Sequence, residues 1–134
     1  MCAASPLSDS DGPLCILIAE DDAPSLELAM FVLRSRGHQV TAVGNGRDAL
    51  DLLAEGSYDV VLLDVHMPVM DGVEAVRELR RTQQDGPRQR VIALTAHAVP
   101  EEQERLMKLG FDQVIAKPLR FDELFREIEG GSGG

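Results

Sequence analysis

The sequence predicts an α/β protein, a parallel sheet covered by helices on both faces. Two observations carry this. Five short aliphatic runs, each of strand length, alternate with segments whose apolar residues repeat at helical spacing. The runs are aliphatic nearly throughout, without the in-out alternation of a sheet that faces water, so both faces of each strand are expected to be covered. Crossovers between such strands are expected to be right-handed. The chain has no solenoid-length repeat and is too short for an eight-fold barrel.

The elements follow in order. Leu14-Cys15-Ile16-Leu17-Ile18-Ala19 reads as the first strand, running into Glu20-Asp21-Asp22. Leu26, Ala29, Met30 and Leu33 recur at i, i+3, i+4, i+7 and predict an amphipathic helix. Arg34 and Arg36 suit its last turn, and Gly37 is placed to stop it. Val40 to Val43 is a short strand, and Gly44-Asn45-Gly46 is expected to turn the chain. Leu50, Leu53 and Ala54 mark the second helix, ending near Gly56. Val60-Val61-Leu62-Leu63 then ends in Asp64. Gly72, Ala75, Val76 and Leu79 mark the third helix, with Asp71 as its expected N-cap. Val91 to Leu94 leads into Thr95, and a weakly patterned helix from about Glu101 to Leu109 is closed by Gly110. Val114 to Ala116 leads into Lys117-Pro118, and Phe121, Leu124, Phe125 and Ile128 form the last apolar face.

At 134 residues the chain suits one domain, and 44% hydrophobic residues argue against disorder. A formal net charge of −10 argues against direct nucleic-acid binding and against docking on an anionic membrane. The apolar runs are too short to span a bilayer, and the polar, acidic start does not read as a signal peptide. Residues 1–13 are expected to be a flexible leader, 14–129 the folded domain, and 130–134 a Gly/Ser linker or expression scar. Cys15 is expected to be a buried free thiol and Cys2 incidental, which fits a reducing cytoplasm.

Four of the strands end in polar residues. If they are parallel neighbours, acids, a hydroxyl and an amine converge on one edge of the sheet, where open α/β sheets place their ligands. Glu20, Asp21 and Asp64 repel one another there unless a cation is present. Oxygen-only donors at a sheet mouth suit Mg²⁺, and no Cys/His cluster argues for zinc. Lys117 and Thr95 beside a metal-bound carboxylate can bind phosphoryl oxygens. A carboxylate needs no general base at neutral pH. No Walker-type loop is present to bind ATP.

The segments Ile18–Asp22, Leu62–Gly72, Ala93–Ala96 and Lys117-Pro118 carry a resemblance to the receiver domains of two-component signalling, in family order and spacing, over about residues 14–129. The resemblance implies a flavodoxin-like (βα)5 three-layer sandwich with sheet order 2-1-3-4-5. It implies that Asp64 is the phosphoryl acceptor, that Asp21 binds Mg²⁺ directly and Glu20 through water, and that Asp64 and the backbone carbonyl of His66 complete the protein ligands. Thr95 would hydrogen-bond the phosphoryl group, Lys117 would pair with one of its oxygens, and the bond before Pro118 would be cis. His66 and His97, two residues after Asp64 and Thr95, fall where receivers tune phosphoryl hydrolysis; as plain sequence they read equally as solvated loop histidines. His38 reads as structural, and Met67, Met70 and Met107 as packing residues.

The acid pair has a second register, Asp21-Asp22, although Glu20-Asp21 follows the strand end more directly. Val114 stands three residues before Lys117, where receivers usually carry Tyr or Phe. The stretch Ala93–Ala98, with Leu109-Gly110-Phe111-Asp112, is similar to receivers attached to hybrid histidine kinases. The expected partner is a histidine kinase or histidine phosphotransfer domain. The chain has no room for a kinase core or output domain, so it is expected to be excised from a hybrid kinase or to stand alone, with a kinase or output domain in the parent. The chemistry implied is self-phosphorylation and autodephosphorylation only, in the cytoplasm. Two alternatives are a pseudo-receiver, acting as a phosphorylation-independent interaction module, and a small aspartyl-phosphate hydrolase. The latter would need an acid where His66 stands.

Overall fold

The computed structural model describes residues 13–56, 58–82 and 88–129. Five strands alternate with five helices: β1 (Cys15–Ala19), α1 (Ala23–Ser35), β2 (Gln39–Val43), α2 (Gly46–Glu55), β3 (Val60–Asp64), α3 (Gly72–Thr82), β4 (Val91–Thr95), α4 (Pro100–Leu109), β5 (Gln113–Ala116) and α5 (Phe121–Glu129). All strand pairs are parallel, in the order β2-β1-β3-β4-β5. The architecture is the flavodoxin-like three-layer sandwich.

The period of two along each strand divides the core in two. Ile16, Ile18, Leu62, Ile92 and Leu94 point to one face, where they meet Ala29 and Leu33 of α1 and Leu124 and Ile128 of α5. Leu17, Ala19, Val61, Leu63, Val91 and Ala93 point to the other, against Ala49 and Leu50 of α2, Val76 and Leu79 of α3 and Leu106 of α4. This is why the strands are aliphatic on both sides. Each fully buried Leu, Ile or Val stabilises the fold by about 1.5–3 kcal/mol relative to an exposed one.

Several local expectations need adjusting. Gly46 opens α2 instead of belonging to a turn, because Asn45 is the N-cap and its side chain accepts from Asp48 N at 2.9 Å. Leu53 packs on the core as expected, but Ala54 is exposed and Leu52 packs in its place. Met67 and Met70 pack against the core as expected, but Met107 is 46% exposed on α4, whose single fully buried side chain is Leu106. Val114 lies half-buried in β5, packed on the α2–α4 side of the sheet. Cys15 is buried, yet it is disulfide-bonded rather than a free thiol, and its partner lies outside the described residues. The argument from a free thiol to a reducing compartment therefore falls away. The expected leader, Cys2 and the Gly/Ser tail also lie outside the described residues, apart from Pro13.

His38 is structural. It lies between α1 and β2, 6% exposed, and its Nδ1 accepts the Leu14 N–H at 3.0 Å. Its Nε2 lies 2.7 Å from Glu129 at the end of α5. Arg36 also pairs with Glu129, and its guanidinium sits 4.3 Å above the Phe125 ring.

Candidate functional site

Strand register places the polar strand ends side by side. Ala19 pairs with Leu63, Asp64 with Leu94, and Thr95 with Ala116. Glu20, Asp64, Thr95 and Lys117 therefore emerge from four adjacent strands at the carboxyl edge of the sheet. Glu20 and Asp64 are each 4% exposed and Thr95 is 1% exposed, while Asp21 faces solvent.

Glu20, Asp21 and Asp64 bring carboxylate oxygens within 4.8 Å of one another. Lys117 binds two of these acids. Its Nζ lies 2.8 Å from Glu20 Oε1 and 2.7 Å from Asp64 Oδ2. The other oxygen of Asp64 accepts the His66 N–H at 3.2 Å. Burial pushes the Glu20 carboxyl above its ordinary value; Lys117 pulls it down, but the neighbouring Asp64 pushes it up again. For Lys117 burial works against the charge, but the bonds to Asp64 and Glu20 outweigh it and its pKa is raised. The site is thus an acid cluster that already draws in a cation.

That chemistry fits Mg²⁺. The donors are hard carboxylate oxygens, one of them solvent-facing, and a magnesium ion needs only one or two carboxylates while retaining waters. Asp22 does not join the cluster. Its carboxylate accepts from Ser25 N at 3.1 Å as the N-cap of α1, and its N–H donates to Glu20 Oε2 at 3.1 Å. It anchors Glu20 through the backbone, a role hidden in the sequence because all three acids look alike there.

The loop after Asp64 is held tightly. Val65 N donates to Leu94 O and Gly72 N to Val65 O, both at 3.0 Å, while Asp71 caps α3 by accepting from Glu74 N at 2.9 Å. Gly72 is obligatory for packing. A Cβ there would stand 2.3 Å from the Asp64 carbonyl oxygen. On the other side, Thr95 Oγ1 accepts the His97 N–H at 3.1 Å, Lys117 N donates to Thr95 O at 2.8 Å, and the Lys117-Pro118 bond is cis. His66 and His97 are both exposed, and both lie close enough to Glu102 to favour its charged form, after its dominant bond to Arg105. Beside the cluster a cavity of about 440 Å³ opens between α1 and the start of α5, lined by Ser25, Leu28, Pro118 and Phe121 with Glu20 and Lys117 at its floor.

The chain matches the model of the response regulator receiver domain over residues 16–129, and it belongs to that family. It is 35% identical over 117 residues to the sensor histidine kinase RcsC of Salmonella typhi, covering 87% of this chain and 12% of that protein. It is 32% identical over 122 residues to hybrid signal transduction histidine kinase I of Dictyostelium discoideum, covering 87% and 7%. Among solved structures it is similar to the receiver domain of the Pseudomonas aeruginosa sensor histidine kinase PA1611, which has a magnesium ion in its active-site cleft. The TM-score is 0.76 at 32% identity, covering 90% of this chain and 100% of that one. The chain therefore spans a small part of the kinases it matches. Its acid cluster is that of a receiver, poised for Mg²⁺-dependent phosphoryl transfer.

Proposed function

We propose that Asp64 accepts a phosphoryl group from a phosphohistidine on a histidine kinase or histidine phosphotransfer domain. The P–N bond to the imidazole breaks as a P–O bond to an Asp64 carboxylate oxygen forms. The observation that carries this is the contact of Lys117 with both Glu20 and Asp64, an ammonium held against the acceptor. As the phosphoryl group arrives, Lys117 shifts onto its oxygens, and the Thr95 hydroxyl, fixed at the adjacent strand end, donates to another. Glu20 (through water), Asp21, Asp64 and the His66 carbonyl would hold Mg²⁺, which supplies charge neutralisation at the phosphoryl oxygens. His66 and His97 border the acceptor and set the access of water to the acyl phosphate.

The folded domain would be residues 14–129, placed in the cytoplasm, where ATP feeds such kinases. The kinase relatives favour an origin within a hybrid histidine kinase. No helix among the described residues is long and apolar enough to cross a membrane. The half-exposed Leu28 and the exposed Phe31 on α1, next to the cavity, offer an apolar surface for the phosphodonor. Phosphorylation adds charge at a buried cluster and shifts the population of surfaces around α4, β5 and α5. Val114 gives that route an aliphatic rather than an aromatic step.

The test is intact mass after incubation with acetyl phosphate and Mg²⁺. One phosphoryl adduct is expected on the native chain, lost with EDTA and absent from Asp64→Ala. An adduct that persists on Asp64→Ala would show a different acceptor. A native chain that binds Mg²⁺ but never labels, even with a phosphodonor kinase, would be an interaction module instead.

A further inference from the structure

Gly46 lies outside the acid cluster, in the first turn of α2, yet it touches the loop that leaves the acceptor. We propose that Gly46 is a positioning residue for the metal, holding residues 66–71 in the shape that presents the His66 carbonyl. The inference rests on the assignment of that carbonyl as a Mg²⁺ ligand.

Three observations carry it. The Gly46 N–H donates to Met70 O at 2.8 Å. An amide at a helix N-terminus has no partner within its own helix, so this one is available to fix a neighbouring segment. Asn45 does not compete, because its side chain caps Asp48 instead. Second, there is no room for a side chain. A Cβ on Gly46 would stand 2.6 Å from Met70 O, 3.0 Å from Asp71 O and 3.0 Å from Ala75 Cβ. None of these is the tip of a flexible side chain, so the loop or the helix must move.

Third, the loop is short and pinned at its base. Its base is closed by the bonds of Val65 to Leu94 and of Gly72 to Val65, with Gly72 pressed on the Asp64 carbonyl. Its tip, Val69, is already strained. It is β-branched with φ of 67°, a conformation such residues rarely adopt, and it is 80% exposed, with little packing to repay the strain. Met70 N also bonds back to Pro68 O at 2.6 Å. A push at Met70 is therefore passed along the short stretch to His66.

The experiment compares the native chain with Gly46→Ala. Mg²⁺ is titrated as the chloride and followed by amide NMR, with thermal melts in EDTA and acetyl phosphate labelling in parallel. Gly46→Ala is expected to melt cooperatively but to bind Mg²⁺ on the order of 10–100-fold more weakly, the usual cost of losing a support of a metal ligand. The His66 and Met70 amide resonances should shift, and labelling should recover at saturating Mg²⁺. A variant that melts lower with unchanged Mg²⁺ affinity overturns the proposal, since Gly46 would then be a packing residue alone. A native chain that binds no Mg²⁺ overturns the metal assignment itself. Should Gly46→Ala not fold, hydrogen exchange at the native Gly46 amide decides. Slower exchange on Mg²⁺ saturation supports the coupling, and unchanged exchange overturns it.

Discussion

Glu20 is an acid that the metal-free fold disfavours in its charged form. Burial is the main cause; Lys117 offsets part of it, and the neighbouring Asp64 adds repulsion. Glu20→Gln removes a charge but keeps only one acceptor: its carbonyl can accept from Lys117, and its amide then faces the Asp22 N–H that Glu20 now accepts. The metal-free variant should stay within about 1 kcal/mol of the native chain, relief of buried charge being offset by the lost acceptor, while Lys117 keeps its bond to Asp64. Its Mg²⁺ affinity should fall about tenfold if Glu20 holds the ion through water as proposed, because that water would lose an anionic partner. Urea melts in EDTA and in Mg²⁺ check both; a larger loss in EDTA would show that Glu20 supports the fold. Asp64, Thr95 and Lys117 were legible as a group because polar residues closing aliphatic runs have no packing reason to be there. The choice of Glu20 over Asp22 was harder to read. Both are acids of one short cluster, and only the turn into α1 decides which faces the site and which caps the helix.

Elements differ in how much they depend on single contacts. The β3–α3 connection rests on Gly72, where an added Cβ meets the Asp64 backbone. Gly72→Ala should cost about 1–3 kcal/mol, as overpacking does. Gly56, at the end of α2, has an extended backbone with φ of −171° and nothing within 4 Å of an added Cβ. Gly56→Ala should be close to neutral, so the pair of urea midpoints separates close packing from a general glycine effect. Equal losses would remove the packing explanation. Strands and the strongly patterned helices were readable because each buries a periodic face. The start of α2 was not, since Gly44-Asn45-Gly46 is turn-like in composition and only the Asn45 cap makes Gly46 helical. Nor did spacing reveal the Gly46–Met70 contact, which joins segments distant in sequence. Met107 was misjudged because α4 buries so narrow a stripe.

At the scale of the molecule, the chemistry sits at the carboxyl edge of the sheet and the His38 junction at the amino edge. Glu129 is held below its ordinary value of 4.5, first by Arg36, with burial opposing and His38 assisting. A lowered carboxyl pKa contributes stability above pH 4.5 that is lost as pH falls through the folded value. Glu129→Gln should therefore be less stable than the native chain at neutral pH, by about 0.5–1 kcal/mol for a partly solvated pair. The deficit should shrink below pH 4.5, read from urea midpoints across the range. A deficit that does not change with pH would place the loss in packing. The division into two edges was foreseeable from the parallel strands; the meeting of Leu14 and Glu129 at one imidazole was not, because it depends on three segments far apart in sequence.

That meeting has a topological consequence. Leu14 and Glu129, near the two ends of the described residues, lie on either side of one histidine ring. Segments joined at Leu14 and Glu129 would start from one corner, so a unit with these two residues at its junctions could be carried as a side branch, adding little distance between its neighbours. A branch rooted at one pole turns its other pole outward. The acids lie a strand's length away, roughly 17 Å for five residues, where a visiting partner meets them free of the root.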